Sequence, residues 1–249
     1  MTGAVIDTPV RIEELPGGAT VEVRIDPSLG CRNLEQRVVV LPPGVRAEFA
    51  HADSEDVLYV LGGSGRLVAG DRHVLLEPGT GIVVPAATRF RIEANSDGLR
   101  LLSVLSPQPG RPGTVAASST VGPALTPVRA EEQEIIAAGD DASIDYMDRW
   151  FRVLADPGTG ARYVTQFIGS IARSRAPEHT HTYEEVIYII GGTGIVHVGG
   201  SHPLRPGTSV YLPPGSPHCL ENPNDDTTLE LLGVFCPAGS PKERRPAAT

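Results

Sequence analysis

The chain repeats itself, and this constrains its fold more than any other feature. DPSLGCRNLEQ, Asp26–Gln36, is matched by DPGTGARYVTQ, Asp156–Gln166. DVLYVLGGSGRLVAGDRH, from Asp56, is matched by EVIYIIGGTGIVHVGGSH, from Glu185. LLEPGTGIVVPAATRF, from Leu75, is matched by PLRPGTSVYLPPGSPH, from Pro203, and LRLLSVLSP, ending at Pro107, by LELLGVFCP, ending at Pro237. The offset is 130 at the start and about 129 afterwards. So long an ordered coincidence means a duplicated unit of about 80 residues.

Between the units, Ser106–Val128 is rich in Pro, Gly, Ser and Thr without periodicity, and reads as an extended linker. EEQEIIAAG follows it as one or two short helical turns. The expected domains are therefore residues 1–106, a linker with a short helix over 107–146, residues 147–238, and a tail over 239–249. The opening segment Ala4–Ile25 and its counterpart Met147–Ala155 are expected to add strands that lead into each unit. Within the units, VLYVLGG, RLVAG, GIVVP and RFRIEA, and later EVIYII, GIVHVG and SVYLP, are short runs bounded by Gly or Pro. Their spacing of about 8–12 residues points to an all-β sandwich or barrel and not to βαβ units. A jelly roll, two sheets folded onto one another, removes the edge problem such strands create.

Composition narrows the function classes. Gly 28 and Pro 23 supply the turns that many strands need. The net charge of −9, with no Lys/Arg cluster, argues against nucleic acid as a partner. No apolar stretch approaches the roughly 20 residues needed to cross a bilayer, so no membrane partner is expected. The N-terminus shows neither a basic nor an apolar signal region, and three cysteines at no recognisable spacing do not form a disulfide framework. The expectation is a cytoplasmic protein.

The second unit carries the chemistry. Residues i and i+2 of a strand share a face, so His179 and His181 enter the same interior. Glu185 opens the next strand, and Pro213-Pro214-Gly215 makes a turn that launches His218. Three imidazoles and one carboxylate on adjacent strands suit one divalent transition metal: Fe, Mn, Ni, Co or Zn. Glu184 competes with Glu185 but should point outward by alternation. This pattern resembles the cupin superfamily. Its second motif is met at Gly207, Pro213, Gly215, His218 and Asn222, and its first at His179, His181, Glu185 and Gly192. The departure is Arg173, which stands where the first motif begins with Gly. With the repeat, the resemblance implies a bicupin: two tandem cupin-type jelly-roll β-barrels.

The first unit differs. Phe49 and Phe90 stand at the first and last histidine positions, His51 stands opposite His181, and Glu55 or Asp56 stands opposite Glu185. This unit is expected to be a packed structural barrel, with His51 hydrogen-bonded or at the surface. Arg162 and Gln166 share one strand face and are candidate substrate-binding residues, though a structural role suits them equally. His197 reads as a surface or core histidine. Tyr183, Tyr188 and Trp150 read as packing residues, and Cys219 turns away from the metal.

The resemblance implies an enzyme acting on a small molecule, with no catalytic residue assignable beyond the metal centre. The favoured activity is an Fe(II)-type dioxygenase of a chelating enol, catechol or keto acid. The alternatives are a non-redox Mn, Zn or Ni enzyme (a hydrolase like ureidoglycine aminohydrolase, an isomerase or a decarboxylase) and a non-catalytic binding or storage cupin. Oxalate decarboxylases usually have both barrels competent, unlike this chain. A homodimer is expected by the same resemblance.

Overall fold

A computed structural model describes residues 3–109, 122–134, 136–137, 149–240 and 245–246. The chain is all-β, with antiparallel sheets and only short 3-10 turns among the described residues. In the first unit the sheet order is Val128–Arg129, Thr80–Val84, Glu55–Ala69, Arg89–Ser106, Glu35–Leu41, Thr20–Ile25 and Arg11–Glu14. Glu55–Ala69 and Arg89–Ser106 are long enough to bend and serve both layers of the jelly roll. The bend falls at register shifts flanking Gly62 and Gly63. Gly63 has φ +74, and a Cβ there would stand 2.2 Å from the Gly98 carbonyl oxygen, so only glycine fits.

In the second unit the corresponding bend breaks the strand into Glu184–Gly191 and Gly194–His197. The first piece lies in a sheet with Ser209–Leu212, Leu229–Cys236, Thr165–Ile171, Arg149–Ala155 and Ile136–Ala137. The second lies in a four-stranded sheet with Cys219–Asn222, Ser174–Arg175 and Ser201–Leu204.

Strand alternation sorts side chains into three cores. Val39, Leu58 and Val60 face the inside of the first barrel. Ile187, Ile189 and Phe235 face the inside of the second. Val38, Val57 and Val104 from the first unit meet Val164, Val186 and Val234 from the second, so the barrels pack back to back through an apolar layer.

Two devices lock the barrels together. The first is a strand exchange: Arg11–Glu14 and Thr20–Ile25 join the first barrel as expected of the opening segment, but its first strand does not. Ala4–Ile6 pairs with Ser209–Leu212 of the second barrel, not with the first. Reciprocally, Val128–Arg129, just before the second unit, pairs with Thr80–Val84 of the first. Each short strand supplies an edge that the partner sheet would otherwise leave open. The second device is a pair of buried carboxylates at matching positions of the repeat. Glu184 accepts hydrogen bonds from the backbone N–H of Arg32 and Asn33, both 2.8 Å. Glu55 accepts from the backbone N–H of Arg162 at 2.6 Å and Tyr163 at 2.9 Å. Each satisfies backbone donors of a turn in the opposite barrel.

Of the segment read as linker, residues 110–121, 135 and 138–146 lie outside the described residues. Where one or two short helical turns are expected, Ala130–Glu132 forms a 3-10 turn and Ile136–Ala137 a short strand against Arg149–Ala155. No helix among the described residues is long and apolar enough to cross a membrane.

Candidate metal centre

His179 and His218 face each other as a bridged pair, each N–H donating to the other's carbonyl at 3.0 Å. The turn that launches His218 is closed by two bonds: Gly215 N–H donates to the His181 carbonyl at 2.8 Å, and Ser216 N–H to that of Pro213 at 3.1 Å. Gly215 has φ +74, the left-handed conformation that such a turn requires. Asn222 holds the far end of the same strand by donating to the Ile171 and Thr227 carbonyls.

These contacts bring His179, His181 and His218 together, with one ring nitrogen from each inside a 4.8 Å group. Adjacent donors bound at 2.0–2.2 Å to one ion lie roughly 3–3.6 Å apart, so the three rings reach a coordinating arrangement by closing inward by about an ångström. The Nδ1 atoms of His179 and His218 lie 3.0 Å from the Pro177 carbonyl and 2.9 Å from the Ser216 carbonyl. A carbonyl only accepts, so Nδ1 carries the proton and Nε2 the lone pair, the tautomer a metal ligand needs. The His181 ring stacks on Tyr183 at 4.5 Å and 12°, and Tyr183 stacks on Phe235. Glu185 lies beside the triad rather than within it, its Oε2 3.5 Å from His181 Nε2. Glu184, its sequence rival, points the other way into the clamp described above.

The triad opens into a cavity of about 90 Å³, enough for roughly six water-sized groups. Its walls are mostly apolar, with Phe151, Phe167, Ile187, Leu220 and Leu231, and it also receives Glu185, Tyr183 and Arg149.

Neither residue proposed from sequence for substrate contact lines this cavity. Phe167, Gly169 and Ile171 face it, so Gln166 turns by alternation to the opposite side, where it is fully buried between the barrels. Arg162 is exposed, and its backbone serves Glu55. Arg149, which sequence reasoning passed over, is the guanidinium at the cavity. Trp150 and Tyr183, read as packing residues, also line it. His197 sits on the outer sheet, 2.7 Å from Glu221 Oε2.

The same place in the first barrel is filled. Phe49 and Phe90 stack at 5.4 Å where the outer histidines would be. Arg37, on the inward face beside Gln36, reaches the centre. Its Nη2 donates to Asp56 Oδ2 at 3.1 Å and to Ser103 Oγ at 2.8 Å, and lies 3.3 Å from His51 Nε2. Asp56 is the counterpart of Glu185, so a guanidinium here neutralises the carboxylate that a metal ion would otherwise balance. Burial pushes the His51 pKa down, with Asp56 opposing and Arg37 assisting.

Comparison with known proteins agrees with this architecture. The model of the cupin domain family matches residues 37–105 and 172–235, more than half of the chain. Among solved structures, a putative glyoxylate-induced protein from Pseudomonas aeruginosa superposes with a TM-score of 0.77 at 14% identity, covering 100% of this chain and 92% of that one. Protein Ylba from E. coli gives 0.72 at 15% identity, covering 94% and 90%. Oxalate decarboxylase from Bacillus subtilis gives 0.72 at 17%, covering 96% and 77%. At such identities the likeness speaks for fold. No curated protein matches the chain.

Proposed function

The chain belongs to the cupin domain family, and from that premise we propose that it is a metal-dependent enzyme working from its second barrel alone. The observation that carries this reading is the convergence of three buried or half-buried imidazoles in an apolar cavity. The ligand set proposed is His179, His181, His218 and Glu185, the carboxylate closing onto the triad from 3.5 Å. Bound there, a divalent ion supplies Lewis acidity with open positions and, if it is iron, a place where O2 and a chelating substrate can meet.

The rest belongs to the chain itself. The Pro177 and Ser216 carbonyls hold the tautomers of His179 and His218. Tyr183 fixes the plane of His181 by stacking. The apolar walls exclude bulk water, which strengthens every polar contact to a bound substrate. An apolar cavity next to three imidazoles suits a dioxygenase, and this is the favoured reaction class. The likeness to an oxalate decarboxylase favours a second reading, a lyase that releases CO2 without O2. Oxygen dependence separates them. Protein reconstituted anaerobically with iron, or loaded with manganese, is assayed against catechols, diketones and small keto or dicarboxylic acids. O2 uptake with ring or C–C cleavage supports the dioxygenase, and CO2 release under nitrogen supports the lyase. Turnover in neither panel with any metal would refute the enzyme reading and leave a binding protein.

A further inference from the structure

We propose that Ser201, His197 and Glu221 form a second reactive centre, on the outer face of the second barrel, where Ser201 takes acyl groups from small activated esters. This centre lies outside the metal cavity and does not depend on the metal reading. Its residues come from three strands of the four-stranded sheet: Ser201–Leu204, Gly194–His197 and Cys219–Asn222. The register explains why they meet. His197 pairs with Ser201, and Ile195, two residues back on the same face, pairs with Glu221, so Glu221 is a diagonal neighbour of His197. Val196 and Val198 turn into the barrel core, which leaves His197 looking outward.

The polar atoms run in one line. His197 Nε2 lies 2.7 Å from Glu221 Oε2, and His197 Nδ1 lies 2.9 Å from Ser201 Oγ. A carboxylate only accepts, so in the neutral ring Nε2 carries the proton and Nδ1 keeps its lone pair. The Ser201 hydroxyl therefore donates to Nδ1. A nucleophile, a base within hydrogen-bond reach and a carboxylate that orients the base are the parts of an acyl-transfer centre, which is defined by geometry and role rather than by chain order. The His197 and Glu221 side chains are 15% and 24% exposed, whereas Ser201 is open to a reagent. Arg175 Nη1 stands 3.8 Å from the same Glu221 oxygen and helps to hold it. Gly199 and Gly200, at φ +60 and +149, form the turn directly before Ser201, so no side chain of the turn obstructs the hydroxyl. Ile195 and Pro203, paired on the same face, offer apolar contact to a small acyl group. In the reaction, Ser201 Oγ attacks the ester carbonyl and passes its proton to His197 Nδ1. The bond to the leaving oxygen breaks as Nδ1 returns that proton to it, giving an acyl-serine and an alcohol. Water, activated by the same base, then releases the carboxylic acid and restores Ser201.

The test uses the full chain, after chelation and again loaded with zinc, so that a metal-bound hydroxide at the other site cannot account for the result. The probe is p-nitrophenyl acetate. Lys242 is the only lysine of the chain, which keeps background acylation low. Wild type should release p-nitrophenolate about tenfold faster than Ser201→Ala, and the difference should persist without metal. Peptide mass spectrometry of acid-quenched samples should find the acetyl group on Ser201. His197→Gln should fall to the rate of Ser201→Ala. Glu221 acts as a positioning residue. In Glu221→Gln the rate should fall, and nitrogen-15 NMR should show the His197 ring losing its single Nε2–H tautomer, a signal that a merely structural role would not move. Equal release by wild type and Ser201→Ala, acetyl carried only by other residues, or His197→Gln as fast as wild type would each overturn the proposal. If one variant fails to fold, the acetyl position in wild type and the remaining variants decide.

Discussion

Replacing Arg37 with methionine removes the cation that stands in the first barrel where a metal would stand. Asp56 is 2% exposed and Arg37 8%, with 3.1 Å between Nη2 and Oδ2. At an effective dielectric of about 20 that separation corresponds to about 5 kcal/mol of attraction. Stripping one partner from a buried pair costs about 3–5 kcal/mol, because the remaining charge is uncompensated. Ser103 still donates to Asp56 at 2.7 Å, which places the expected loss nearer the lower figure. A second signature follows from His51, whose Nε2 lies 3.7 Å from Asp56. Without the repulsion from Arg37, His51 takes up a proton more readily and partly replaces the lost cation. Urea unfolding of Arg37→Met should therefore show a smaller loss at pH 5.5 than at pH 8. Arg37→Met combined with Asp56→Leu should recover at least half of the loss, since the pair is then gone. A single-variant loss below about 1 kcal/mol, or a double variant as unstable as the two losses summed, would refute the cation-substitution account.

Three further outcomes follow. Burial raises the Glu55 pKa to about 7 from 4.5, against the pull of the Arg162 and Tyr163 N–H groups. Because its folded value lies above its unfolded one, the stability this group contributes is fully present below about pH 4.5. That stability, on the order of 3 kcal/mol, is lost as pH rises through about 7. Unfolding of Glu55→Gln measured from pH 4.5 to 8 should show a correspondingly flatter profile, and an unchanged slope would contradict the raised pKa. Gly192→Ala, at φ +68 with a Cβ 2.0 Å from the Thr228 carbonyl oxygen, should cost about 2 kcal/mol or more by urea unfolding. Deleting residues 1–8 removes the strand paired to Ser209–Leu212, so metal affinity should weaken although the deletion is far from the ligands in sequence. Undiminished affinity in an isothermal titration would count against the exchange.

The sequence pattern carries much of this architecture. The repeat announced two barrels because each short run carries its own turn residues. The histidines were legible because a two-residue spacing and a Pro-x-Gly turn translate directly into facing and direction. Gln166 shows where such reading ends. Its strand is buried on both sides, by the barrel core and by the other barrel, so the hydrophobic pattern does not say which face is inward. The same ambiguity hid Arg37 in the first unit, one residue from Gln36. Arg149 escaped because its strand precedes both motifs and enters the cavity only through pairing with Thr165–Ile171. The exchange of Ala4–Ile6 was beyond reach for another reason: three residues specify a strand but not which of two similar edges it joins.

On the proposed reading, one barrel holds metal and the other replaces it with a guanidinium. The most direct measurement is the metal content of the purified chain by plasma mass spectrometry after anaerobic reconstitution, for wild type, His181→Ala and His51→Ala. One equivalent per chain in wild type and His51→Ala, with near-complete loss in His181→Ala, is the expected result. Two equivalents in wild type, or equal loss in both variants, would contradict the asymmetry. No metal in wild type would contradict the site itself.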